Sequence, residues 1–260
     1  MNKKLHKLWE TKTKEDEWWS SFITSPLAIL INYFVVDYKW LTPNLITLFS
    51  FIIAIIATGF IVIGGSENFI IAALLIHISH ILDCMDGQMA RYRNTLSRSG
   101  SYFDKLTDQI QVIIWFSAVA YAAYLQTQTV LPLFLAFSGV SFYSLRGYLK
   151  YVTIYIEMRD DRECLIKKLR ENINEEKDKK ENAELGYGVS GNLLWFIKEQ
   201  RKIFAFNEGV FIFMLSTSLI FNIFVPMLWV FAISQIFYVI YRSWQRGYQM
   251  VYNQKVTIEK

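Results

Sequence analysis

Hydrophobic and polar positions are distributed along this chain in long blocks. Three stretches, 41–90, 106–145 and 203–241, carry no lysine or arginine, and all 27 basic residues fall in the blocks 1–40, 91–105, 146–202 and 242–260. Each basic-free stretch is about twice the roughly 20 residues that a helix needs to cross a bilayer, so each predicts a helical hairpin. Breakers lie within each stretch: Gly64-Gly65-Ser66-Glu67-Asn68, Gln126-Thr127-Gln128-Thr129 and Asn222-Ile223-Phe224-Val225-Pro226. The pattern predicts six spans, at 44–63, 68–92, 101–125, 130–152, 205–222 and 226–247. A single helix over 209–241 would run about 50 Å and overshoot the bilayer. A hairpin fits that stretch better.

Two segments fall outside this plan. Residues 17–38 begin with Glu17-Trp18-Trp19 and continue through Phe22, Pro26 and an apolar run to Asp37. They predict an amphipathic helix lying on the inner leaflet, with its tryptophans at headgroup depth. A seventh span is the alternative, and it would put Lys3, Lys4 and Lys7 on the outer side. Residues 158–202 form a charged insert in which Leu165, Ile166, Leu169 and Ile173 share one helical face. The run from Glu175 to Glu184 reads as solvated helix or loop. The organisation is then an N-terminal segment 1–40, spans within 41–157, the insert 158–202, and two further spans within 203–260.

Composition agrees with a membrane class. The chain is 53% apolar, 17% aromatic and only 19% charged, and its mean hydropathy is positive. The N-terminus is charged and aromatic, with no early apolar run of the kind a cleaved signal peptide has. A net charge of +4 and a pI near 8.9 would in a soluble protein raise nucleic acid as a partner. Here the basic residues flank the spans, so the partner is the membrane, and the positive-inside rule puts every basic block and both termini in the cytoplasm. Cys84 and Cys164 form neither a disulfide pattern nor a metal motif.

Carboxylates inside a membrane span are costly and mark function. The second span ends with Asp83 and Asp86, three apart, and the third begins with Asp104 and Asp108, four apart. Helical geometry stacks each pair on one face, and the short connection 92–99 brings the pairs together. Two like charges at about 4 Å repel by roughly 4 kcal/mol at an effective dielectric near 20. Either several carboxyls are protonated or cations are bound, and two divalent ions would neutralise four carboxylates. All-oxygen ligands suit Mg²⁺, Mn²⁺ or Ca²⁺, and paired metals suit in-line phosphoryl transfer. Gly87 and Ala90 leave the helix surface bare, and the Arg91 fork matches a pyrophosphate oxygen.

The run Asp83-x-x-Asp86-Gly87-x-x-Ala90-Arg91-x8-Gly100-x3-Asp104-x3-Asp108 resembles the signature of the CDP-alcohol phosphotransferase family. Thr42-Pro43-Asn44-Leu45-Ile46-Thr47, opening the first span, resembles that family too. The resemblance implies an all-α integral membrane protein, a six-helix bundle around a polar cavity open to the cytoplasm. It implies attack by an alcohol on the distal phosphorus of a CDP-alcohol, with CMP released, and a homodimer. It makes Asp83, Asp86, Asp104 and Asp108 ligands of two Mg²⁺ or Mn²⁺ ions and Asp108 the general base. It sets Gly87, Ala90, Arg91, Gly100 and Asn44 against the cytidine diphosphate. Most enzymes of this kind make phospholipids from CDP-diacylglycerol and a small polar alcohol. A CDP-activated polar alcohol donating to diacylglycerol or a polyol shares the same motif. Phe103-Asp104-Lys105-Leu106-Thr107-Asp108-Gln109 departs from what phosphatidylglycerophosphate or inositol-phosphate synthases carry, so the motif leaves the acceptor open.

Other features have plainer readings. His77, His80 and Asp83 recur every three residues, which allows an extra metal site. A hydrogen bond from His80 orienting Asp83, with His77 a buried polar group, accounts for the same spacing. Arg146, Lys150, Arg201 and Lys202 ring the inner membrane level as anchors, or bind an anionic acceptor. A cation transporter would place carboxylates near the midplane on broken helices, and an inactive scaffold would not need four aspartates.

Overall fold

The computed structural model describes residues 3–12, 18–160 and 206–258, with the single positions 163, 166 and 170. Among these residues the regular structure is helical throughout. A short helix α1 (Lys3–Trp9) precedes α2 (Ser25–Val35), which is entered through a π-helical turn, Ser20–Thr24. The long helices follow as α3 (Pro43–Ile63), α4 (Ser66–Arg93), α5 (Arg98–Thr127), α6 (Leu131–Asp160), α7 (Glu208–Phe221) and α8 (Phe224–Ile258).

Local chemistry fixes their ends. Thr42 caps α3, its hydroxyl accepting from Leu45 N at 3.3 Å, with Pro43 in the first turn. The α3–α4 turn passes through Gly64 and Gly65, both at positive φ (78° and 90°), where a side chain would be strained. Asn94, Gln128 and Asn222, each in the left-handed region, close α4, α5 and α7. The turns at 64–65, 128–130 and 222–223 lie where the breakers predict.

Four helices are long and apolar enough to cross a membrane: Pro43–Ile63, Ser66–Arg93, Arg98–Thr127 and Phe224–Val251. Ser20–Val35 and Gly209–Phe221 are apolar but shorter. Helix α6 stands where a fourth span is expected but is not among those four, and Arg146 and Lys150 lie on its C-terminal half. Most of the insert 158–202, including its expected amphipathic face, lies outside the described residues.

Helix α4 is the organiser, packing against α3, α7 and α2, while α6 packs against α8 and α5 against both α3 and α6. Small and hydroxyl residues let the backbones approach. Ser50 of α3 and Ser79 of α4 each donate to the other's carbonyl, at 2.9 and 3.0 Å. The Trp115 indole donates to Ala54 O at 3.2 Å, and Phe116 stacks on Phe231 at 3.8 Å. A Cβ at Gly139 would stand 2.4 Å from the Phe231 ring, so glycine is what lets α6 meet α8. At the end of the bundle away from the aspartates, Gln126 donates to Asn222 at 2.7 Å and ties two turns together.

The segment Ser20–Val35 docks on α4 by its polar side. Ser20, Ser21, Thr24, Ser25 and Asn32 are buried together with Ala28 and Ile29, whereas Phe22, Ile23, Leu27, Leu30, Ile31 and Phe34 face outward. Asn32 Nδ2 donates to Met85 O and to Gln88 Oε1, and Gln88 Nε2 donates to Ser25 O. Trp18 and Trp19, expected at headgroup depth, pack on Phe213 of α7 at 5.3 and 4.8 Å.

Candidate active site

The C-terminal end of α4 and the N-terminal end of α5 are joined by the four residues 94–97. Thr95 N donates back to Ala90 O at 2.9 Å, and Ser97 caps α5 by accepting from Gly100 N at 3.0 Å. This tight link brings Asp83 of α4 against Asp104 and Asp108 of α5, with carboxylate oxygens all within 4.8 Å of one another. Lys105 Nζ lies 3.0 Å from both Asp104 Oδ2 and Asp108 Oδ2. Three hard oxygen donors so close together fit a divalent cation such as Mg²⁺ or Mn²⁺.

The fourth carboxylate has a different setting. Asp86 is buried and accepts a hydrogen bond from the Thr47 hydroxyl of α3. A three-residue step leaves side chains about 60° apart around a helix, and a four-residue step about 40°. Although both steps keep a pair on one broad face, Asp83 meets α5 and Asp86 meets α3, while Asp104 and Asp108 stay together.

Beside the carboxylates a cavity of about 520 Å³ opens between the loop 36–42, the start of α3, the end of α4 and the start of α5. Asp86 and Asp104 are in its wall, and Asp104, shared with the acidic cluster, joins the two. Asn44, Gly87, Ala90, Arg91 and Gly100, all expected from the sequence, line it. A Cβ at Gly87 would lie 3.2 Å from the Arg91 guanidinium, and one at Gly100 would lie 3.1 Å from Asn44 Oδ1. The glycines thus leave room for both polar side chains. Arg91 Nε donates to Thr11 O at 2.7 Å, so the N-terminal segment helps hold this guanidinium.

Several residues of the wall carry no signal that sequence reading used. Lys39, Arg93, Thr95, Ser97 and Ser101 line the same cavity, joined by Thr42 and Thr47 of the run that opens the first span. Arg93 ties the end of α4 to the loop 36–42. Its Nε and Nη2 donate to Val36 O at 2.9 and 2.6 Å, Nη1 to Leu41 O at 2.7 Å, and Nη2 also to Tyr38 O at 2.9 Å. Its position two residues after Arg91 was a usable hint, but its partners lie more than fifty residues away.

Other expected site residues lie elsewhere. Arg146 stands over the Tyr143 ring at 5.0 Å on α6, and Lys150 is exposed; neither is in the cavity wall. Arg201 and Lys202 lie outside the described residues. His80 Nε2 is 3.1 Å from Ser20 Oγ, and His77 packs on Trp19 at 5.4 Å.

Known proteins share this arrangement's sequence. A family model described as CDP-alcohol phosphatidyltransferase matches residues 40–237. The chain is 34% identical over 126 residues to an uncharacterized protein of Aquifex aeolicus, an alignment covering 46% of this chain and 62% of that one. It is 38% and 35% identical over 82 residues to proteins named CDP-diacylglycerol–serine O-phosphatidyltransferase from two strains of Helicobacter pylori, covering 32% of this chain and 33% of theirs. The aligned part thus spans less than two thirds of each relative. The family match, by contrast, takes in most of this chain, with all four aspartates and the cavity-forming ends of α3, α4 and α5, and the chain belongs to the CDP-alcohol phosphatidyltransferase family.

Proposed function

We propose that this chain transfers a substituted phosphate from a CDP-alcohol, CDP-diacylglycerol foremost, to the hydroxyl of a small polar alcohol in phospholipid synthesis. The observation that carries this reading is that Asp104 belongs both to the carboxylate cluster and to the cavity wall, with Asp86 beside it in that wall. A nucleotide phosphate held beside Arg91 would lie next to the residues able to hold a cation. The Arg91 guanidinium lies over Gly87 in this wall, where a phosphate would meet it.

In this reading Asp83, Asp104 and Asp108 would hold Mg²⁺ or Mn²⁺, with Asp86 contributing from the cavity side. The metal would supply charge stabilisation for the phosphates. The acceptor oxygen bonds to the distal phosphorus as the bond from that phosphorus to the CMP oxygen breaks. Asp108 takes the hydroxyl proton, and the Arg91 guanidinium faces the charge that grows on departing CMP. The basic residues flanking this end of the bundle support a cytoplasmic active site.

The test is CMP release by purified protein in Mg²⁺ or Mn²⁺, offered a panel of CDP-alcohols with several acceptors. Serine belongs first in that panel, because the Helicobacter proteins are named for it. Release should cease in chelator and return with metal. Absence of CMP release with every donor overturns the proposal.

A further inference from the structure

The loop between α2 and α3 is held from two sides. Arg93 supplies four hydrogen bonds to the carbonyls of Val36, Tyr38 and Leu41. Asp37, within the same loop, pairs with Lys4 of α1 at 2.5 Å. A guanidinium has five N–H donors in a fixed fork, so four such bonds leave Arg93 little capacity for a ligand although it borders the cavity. What it does is fix the backbone on both sides of Lys39. Lys39 also lines the cavity, in a wall that includes Arg91, Asp86 and Asp104.

We propose that Lys39 is a phosphate-contacting residue of the donor site, and that Arg93 is the positioning residue that presents it. This rests on the CDP-alcohol reading above and adds a second cation, from outside the aspartate motif, to the one Arg91 brings. A lysine on a free loop would lose much of its value to chain entropy. A loop pinned at Val36, Tyr38 and Leu41 has already met that cost.

The experiment uses full-length protein in nanodiscs and two readouts: the dissociation constant for CDP, and KM with kcat for CDP-diacylglycerol. Lys39→Ala should raise the CDP Kd and the donor KM about tenfold, the lower end for a charged hydrogen bond because the side chain is exposed. The kcat should stay within about twofold, and Lys39→Arg should restore most of the affinity. Arg93→Gln should raise the same two constants, yet add nothing in a Lys39→Ala background. Should Arg93→Gln fail to fold, Asp37→Asn loosens the same loop more gently and takes its place in the cycle. Unchanged CDP affinity in Lys39→Ala overturns the proposal, and so does a full additive loss in the double variant. A wild-type protein that neither binds CDP nor releases CMP refutes the parent reading and this one together. A wild type that binds CDP as tightly as Lys39→Ala does refutes this one alone.

Discussion

Replacing Gly100 by alanine separates the stability of the α4–α5 junction from its use. Gly100 lies in the first turn of α5, where alanine is favoured over glycine by up to about 1 kcal/mol. Opposing this, the new Cβ would stand 3.0 Å from Ser97 Oγ, the atom that accepts from Gly100 N. N-caps are worth about 0.5–2 kcal/mol, and a displacement of a few tenths of an ångström forfeits only part of that. The two terms nearly cancel, so the melting temperature should move by no more than about 3 °C. Function should respond more, because the same Cβ would stand 3.1 Å from Asn44 Oδ1 and push that side chain off the cavity wall. If Asn44 makes one neutral hydrogen bond to the donor, about 0.5–1.5 kcal/mol is at stake, or about a 2- to 13-fold rise in donor KM. The assay is steady-state CMP release against CDP-diacylglycerol concentration, paired with thermal unfolding in the same detergent. An unchanged donor KM in a stable Gly100→Ala protein would refute the role given to Asn44. So would a loss of the same size when Asn44 is already alanine.

Asp108→Asn should lower kcat by about 10²–10⁴-fold while CDP still binds, as equilibrium titration would read; near-wild-type turnover would move the base elsewhere. Gly139→Ala should destabilise the bundle by about 1–3 kcal/mol through overpacking, since its Cβ would fall 2.4 Å from Phe231; unaltered unfolding would mean that α6 and α8 meet less closely. Cysteines introduced into the insert 158–202 should react with an impermeant thiol reagent only after cells are permeabilised, and labelling of intact cells would reverse the assigned topology.

The helices and their turns were legible because the signal was coarse. Fifty residues without a lysine or arginine can hardly be misread, and Gly64, Gln128 and Asn222 punctuate such stretches by backbone geometry alone. The aspartate motif was equally plain as spacing. The sharing of Asp86 with α3 was not, because it depends on where Thr47 stands when α3 meets α4. Periodicity gives the face of a helix; it does not name the neighbour. Arg93 shows the same limit more strongly. It looks like one more inner-face cation, and only the folded chain brings Val36, Tyr38 and Leu41 to its guanidinium. The contact between Arg91 and Thr11 crosses eighty positions and leaves no local pattern.

The segment Ser20–Val35, with hydroxyls and Asn32 turned inward and Phe22, Leu27, Leu30 and Phe34 turned outward, reverses the substitution rules of a water-soluble domain. Its outward positions should exchange freely among leucine, isoleucine, phenylalanine and valine, yet reject aspartate or lysine, which a lipid neighbour cannot solvate. Its inward hydroxyl positions should accept serine, threonine, alanine or glycine and little else, since a larger side chain would prise the helix from α4, whereas Asn32 should resist even alanine, which would strand the Met85 carbonyl that it now satisfies. A mutational scan of this helix would therefore read as the photographic negative of one made on an ordinary surface helix.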